Sequence, residues 1–292
     1  MTPLPLPKER HLRPYSFFSA QRGGMWLFLV VAFVISYNAT SRTSSLREYL
    51  TPPVLAGGCG ALFLALFAFF FWRIRRWGTT YHQGVSFSSA GDEREAARCY
   101  EEAARQSTQG TQRAVSVTMA GQSLLTLGEA ARALELFGSA EHSGALRRFV
   151  PAAHQWLPNL IAHAYFLQGE LSPAREWLEE GRKRAGKLPP SYALLPEVSL
   201  LCRDGQHNAA LALLAARANE ADALAGRDTR RLKLLKAFAL DAVDPITHAM
   251  DIDATLAAAR LGRPDDFEAL SSRWPELRAF MERRGLTTPV AA

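Results

Sequence analysis

Two uncharged apolar runs, residues 25–37 and 53–72, precede a long remainder in which small and large apolar groups recur at three- and four-residue steps. The step is clearest in LLTLGEAARALELFGSA, residues 124–140. There Leu124, Leu125 and Leu127 come before Gly128, and Ala130, Ala133, Leu134, Phe137 and Ala140 follow it. This spacing puts the apolar groups on one helix face on each side of the glycine. Gly128 is expected to end the first helix in left-handed backbone, which costs glycine little, and Glu129 to open the second near its positive end. The predicted unit is a helix, a tight turn and a second helix.

The same offsets recur elsewhere. Gly128 is followed at +5, +9 and +12 by Ala133, Phe137 and Ala140; Gly91 by Ala96, Tyr100 and Ala103; Gly169 by Ala174, Leu178 and Gly181; and Gly205 by Ala210, Leu214 and, less well, Arg217. Small residues lie seven before the glycine at Gly84, Gly121 and Ala162, and apolar ones four before it at Phe87, Leu124, Tyr165 and Leu201. Ala133 and Gly121 are expected to face each other across one helix pair, so that Ala133→Leu overpacks the contact.

With these residues in place, the stretch 77–217 resembles the tetratricopeptide repeat (TPR) family, whose pattern of a Leu-Gly pair, an aromatic and spaced alanines it shares. The physical sense is that Ala and Gly let two antiparallel helices approach closely while large residues fill the space between pairs. The glycines are 37, 41 and 36 residues apart, longer than the family's period of about 34, and the proline that usually ends each unit is mostly missing. Extended helices or longer loops between units are the expectation.

Residues 53–72 are uncharged over 20 positions, the length a helix needs to cross about 30 Å of hydrocarbon. Residues 25–37 are only 13 long, which also fits a signal-peptide core; a 24-residue leader and no clean A-x-A site after it favour a second span. Cations number four in the leader (Lys8, Arg10, Arg13, Arg22), two in the connection (Arg42, Arg47) and three after the second run (Arg73, Arg75, Arg76). By the positive-inside rule both termini are cytoplasmic. Small groups at Ala56, Gly57, Gly60 and Ala61 would let this span associate closely with the first run or with a second copy.

Charge then removes one class of partner. Residues 1–76 carry nine Lys plus Arg against Glu9 and Glu48, a net of +7, so the overall +6 leaves residues 77–292 at −1. The basic surplus lies at the membrane border and no nucleic-acid surface is expected on the folded part. Arg outnumbers Lys 29 to 5 in an Ala-rich chain, an association with GC-rich bacterial genomes that makes a bacterial inner membrane the expected location. Cys59, Cys99 and Cys202 form no CxxC pair and read as core or membrane residues. The seven histidines form no HExxH, and no G-x-S-x-G, P-loop or G-x-G-x-x-G occurs. Asp244, Asp251 and Asp253 in DPITHAMDIDAT lack the Gly and terminal Glu of a calcium loop and read as a solvated helix cap. No catalytic residue, cofactor or metal is assigned, and the chain is not expected to be an enzyme.

The resemblance implies a groove lined by the first helix of each pair. Counting back from the glycines places Gln122 and Leu125, then Trp156, Asn159, His163, Phe166 and Leu167, then Tyr192, Leu195 and Arg203 along it. Co-chaperones of the family grip a peptide carboxylate with Lys, Arg and Asn; here only Asn159 and Arg203 stand in such places, and that activity is not carried over. After Leu214 the pattern decays into an amphipathic helix at 228–242, with Leu232, Leu235, Phe238 and Ala239 inward, and short helices around 249–260 and 265–284 ended by Gly285.

The expected fold is therefore all-α: a basic leader (1–24), a transmembrane helical hairpin (25–76), four TPR-like repeats forming a solenoid (77–217) and a C-terminal helical cap (218–292). The expected function is a membrane-anchored adaptor or scaffold whose cytoplasmic repeats bind a protein or peptide partner in the groove. The alternative is a structural subunit of a larger membrane or envelope transport complex acting through its transmembrane helices.

Overall fold

The computed structural model describes residues 52–185, 191–224, 226–260 and 267–287, and among these it is all-helical and repeat-like. They divide into two compact units at Val117/Thr118, inside one helix.

In the unit ending at Val117, α1 (Pro52–Ser89) runs unbroken from the apolar stretch into the first predicted repeat. Its prolines sit at the start, where a missing N–H is tolerated, and nothing in its interior interrupts the backbone ladder. Its C-terminal half pairs with α2 (Glu93–Gln106). Tyr100 of α2 lies over Gly84, where an added Cβ would come within 2.8 Å of the ring, and Tyr81 stacks between Trp77 and Tyr100 with ring centroids 5.4 Å from each. Trp77 Nε1 donates to Ser116 Oγ at 3.1 Å, on α3 (Gly110–Thr126).

The transmembrane hairpin is corrected at this point. Among the described residues no helix is long and apolar enough to cross a membrane. The run 25–37 lies outside the described residues. The uncharged part of α1 ends at Arg73, Arg75 and Arg76, and the same helix continues through them into the first repeat. Integral-membrane placement with both termini cytoplasmic rested on that hairpin and falls with it.

The unit from Thr118 onward contains the end of α3, then α4 (Ala130–His142), α5 (Ala145–Phe149), α6 (Pro151–Leu167), α7 (Leu171–Ala185), a 3-10 turn (Ser191–Ala193), α8 (Leu194–Arg203), α9 (His207–Ala216) and α10 (Ala218–Ala223). The C-terminal helices are α11 (Gly226–Val243), α12 (Ala249–Ala259), α13 (Glu268–Ser271) and α14 (Pro275–Arg283). The extra turn α5, entered through left-handed Gly144, takes up residues between α4 and α6 and accounts for the widest glycine spacing.

The repeated turn is one motif. Gly91, Gly128, Gly169 and Gly205 all have φ between 73° and 81°. In each, the glycine N–H donates three residues back and the next N–H donates five back, as in Gly128 N to Leu125 O (3.1 Å) and Glu129 N to Leu124 O (2.9 Å). The five-back acceptors are the apolar residues Phe87, Leu124, Tyr165 and Leu201 singled out by spacing. This is the double-bonded C-cap that satisfies helix-end carbonyls and needs a left-handed residue. Gly285 repeats it after α14, with Leu286 N donating to Met281 O. Gly205 has nothing within 4 Å of an added Cβ, so Gly205→Ala tests the backbone alone. It is expected to cost about 1–2 kcal/mol in urea unfolding, and Gly205→Asn clearly less, because Asn tolerates this conformation. Equal stability of the Ala variant would show that the turn relaxes.

In the first two pairs, the small residue seven before the glycine meets the large one nine after it, Gly84 with Tyr100 and Gly121 with Phe137. A Cβ on Gly121 would stand 2.5 Å from Phe137 Cε1. The atoms nearest Gly121 across the pair thus belong to Phe137, and Ala133 is fully buried in the same helix. Arg217, the poor match at +12 of the fourth repeat, reaches back to Glu197 of α8 at 3.0 Å and pairs with Glu220, so an ion pair stands where other units place a small residue. Cys99 and Cys202 are free and buried, as expected of core residues, and burial pushes the Cys202 thiol up to about 12.

Candidate functional site

α3, α6, the 3-10 turn and the start of α8 bring five of the predicted groove residues to one face of the unit from Thr118 onward. Gln122, Leu125, His163, Tyr192 and Leu195 line a common cavity, but it measures only about 40 Å³, space for little more than a water molecule. The chain's own C-terminal helices close it. From α11, Arg231 and Asp228 line the opposite side. Arg231 is 2% exposed; its Nη2 donates to the Thr126 carbonyl and its Nη1 to Asp228 Oδ1, both at 3.4 Å.

His163 is buried among them. Its ring lies parallel to Phe166 with centroids 6.4 Å apart, and neither ring nitrogen has a hydrogen-bond partner among the described residues. Burial, with the positive charge of Arg231 second, pushes its pKa down to about 3, so the imidazole is neutral at pH 7. Phe166 meets Trp274 edge-on at 5.6 Å, and the Arg203 guanidinium stands over both rings at 5.9 and 5.8 Å. Trp274 and Phe280 complete an aromatic cluster with Phe238 at 5.4 and 5.6 Å.

Asn159 does not face the groove. It is 1% exposed and turned toward α7, where a Cβ added at Gly181 would run into its Oδ1. Its amide atoms have no partner among the described residues. Trp156 and Tyr192 pack ring against ring, tilted by 31° with centroids 5.1 Å apart, and reach the surface, Tyr192 being 39% exposed. The expected open groove is thus corrected to a covered one: Asn159, His163 and Phe166 are buried, and Gln122, Trp156 and Tyr192 form what remains accessible at its lip. Spacing along the chain identified the helix face; it carried no signal that residues more than 60 positions downstream cover it.

A second feature was not foreseen. An open cleft of about 580 Å³ lies between α7, α8 and α9, with Leu178, Leu200 and Leu213 beneath paired charges, Arg175 with Asp204 and Arg182 with Glu197. Each ion pair bridges two helices, which a search within single helices does not detect. In the acidic stretch after α11, Asp244 holds the turn that follows it and does not cap α12, whose N-cap is His248: its Oδ2 accepts from Thr247 Oγ1 at 2.7 Å and its Oδ1 from Thr247 N and Ile246 N at 3.1 Å, and these bonds hold its carboxyl below the usual range. Among the described residues no group of three or more His, Cys, Asp and Glu is arranged to hold a metal ion.

No protein-family profile, no curated protein and no solved structure matches the chain.

Proposed function

We propose that this protein is a TPR-like adaptor whose repeat unit binds a protein partner at the lip formed by Gln122, Trp156 and Tyr192. The observation that carries the reading is the close, part-exposed Trp156–Tyr192 ring pair. Two large aromatics held rigid by each other, beside a hydrogen-bonding side chain, have the make-up of a binding hot spot. Asn159 and His163 are unsuitable test positions, because truncating a buried group confounds binding with packing.

The test places a photo-crosslinking residue at Gln122 of the full chain and follows the adduct formed in cells. Tyr192→Ala is expected to weaken capture by about tenfold or more, equivalent to about 1.4 kcal/mol, with unchanged melting. Undiminished capture by a normally folded Tyr192→Ala chain would sink the assignment of this lip.

A further inference from the structure

Resting on the adaptor reading, we infer that residues 267–286 are a built-in ligand of the repeat groove, competing with a partner segment of the same chemistry: an amphipathic helix carrying an arginine-tryptophan anchor.

The segment touches the repeats as a bound peptide would. Ala269 sits against the turn of the second repeat, 3.0 Å from where a Cβ on Gly128 would stand. Arg273, four residues on, lies against the turn of the third, 3.7 Å from the corresponding position at Gly169. Its Nη1 also donates to the Gln168 carbonyl at 2.7 Å, a cation placed at the negative end of α6. Trp274 then enters the slot between Phe166 and Phe238 beneath Arg203. Leu277, Phe280 and Met281 follow it inward at helical steps, while Glu276, Arg278 and Glu282 face solvent.

Two properties make the interaction transferable. The left-handed glycines recur in every repeat, so the bare turns over which the segment passes are part of the repeat itself. The slot offers a cation and aromatic faces to an indole, a match that depends on the incoming side chain and not on its covalent connection. A groove filled in cis binds in trans with an affinity reduced by the fraction of time it stands open. A partner with the pattern Arg-Trp-x-x-Leu-x-x-Phe would meet the same contacts once the segment lifts.

The experiment uses full-length protein and a fluorescent peptide of residues 267–286, read by anisotropy. Trp274→Ala in the protein weakens the cis occupant, so the wild-type peptide is expected to bind that variant about tenfold tighter than it binds the unaltered chain. A peptide with the same Trp274→Ala change should bind neither. Should the protein variant lose its fold, two readouts remain. Arg273→Ala, which removes an exposed tie and leaves the aromatic slot filled, should tighten the peptide in the same direction by a smaller factor. Hydrogen exchange of the wild-type chain should show residues 267–286 opening faster than α6 and α7. Equal peptide affinity for folded wild-type and variant chains, or exchange of the segment only with global unfolding, overturns the inference. Adduct formation from Gln122 reports separately on the adaptor reading, so the loss of one result leaves the other intact.

Discussion

The folded chain is expected to lose stability steadily as the pH falls below about 6.5, well before most carboxylates protonate. His163 is the reason. Its folded pKa is depressed to about 3 by burial and by Arg231, whereas in the unfolded chain it titrates near 6.5. A depressed histidine contributes stability that is fully present above the unfolded pKa. Below it the unfolded state takes up a proton that the folded state refuses, and the loss grows until the pH reaches the folded value. At pH 4 the difference amounts to about 3 kcal/mol. His154, lowered by burial and by Arg184, and His207, lowered by burial, act with the same sign. Urea midpoints between pH 7 and pH 4 measure the slope, and His163→Leu is the control. Leucine is of similar size, and His163 makes no hydrogen bond among the described residues, so the variant should be at least as stable at pH 7 and should lose most of the slope. An unchanged slope would mean that His163 is hydrated or paired in solution.

The second large effect concerns the contact between paired helices. Gly121→Val is expected to destabilise by about 3 kcal/mol, because its Cβ would stand where the Phe137 ring lies and Phe137 is fully buried. Phe137→Ala should cost about 3–5 kcal/mol by emptying the same space. Combined, the two should cost less than their sum, since the added methyl groups fill the cavity that the lost ring leaves. Additive losses in a double-mutant cycle would show that the two residues do not share one contact. Ala133→Leu should also destabilise, by about 1–3 kcal/mol, as overpacking of a fully buried site.

What local physics controls is legible along the chain. Four glycines at matching offsets place four left-handed turns, because only a residue without a Cβ closes that double-bonded cap at little cost, and the apolar acceptors four before each glycine belong to the same cap. Three- and four-residue steps gave the helices and their buried faces, including Leu232, Leu235 and Phe238 of α11. The same pattern marked Gly121 and Phe137, but an offset tells which face a residue is on and not which neighbour stands nearest, and the atoms nearest Gly121 are those of Phe137.

Tertiary structure alone decided what covers those faces. Trp274 and Phe166 are more than 100 positions apart, and an amphipathic stripe states that a helix must bury itself without stating against what. The groove read as open is therefore occupied by α11, α13 and α14, and His163 passes from a candidate contact to a neutral, buried imidazole. The uncharged count at 53–72 likewise could not reveal that α1 continues through Arg73, Arg75 and Arg76 into the first repeat as one helix. Periodicity is a property of neighbours along the chain, whereas burial depends on which distant surface arrives.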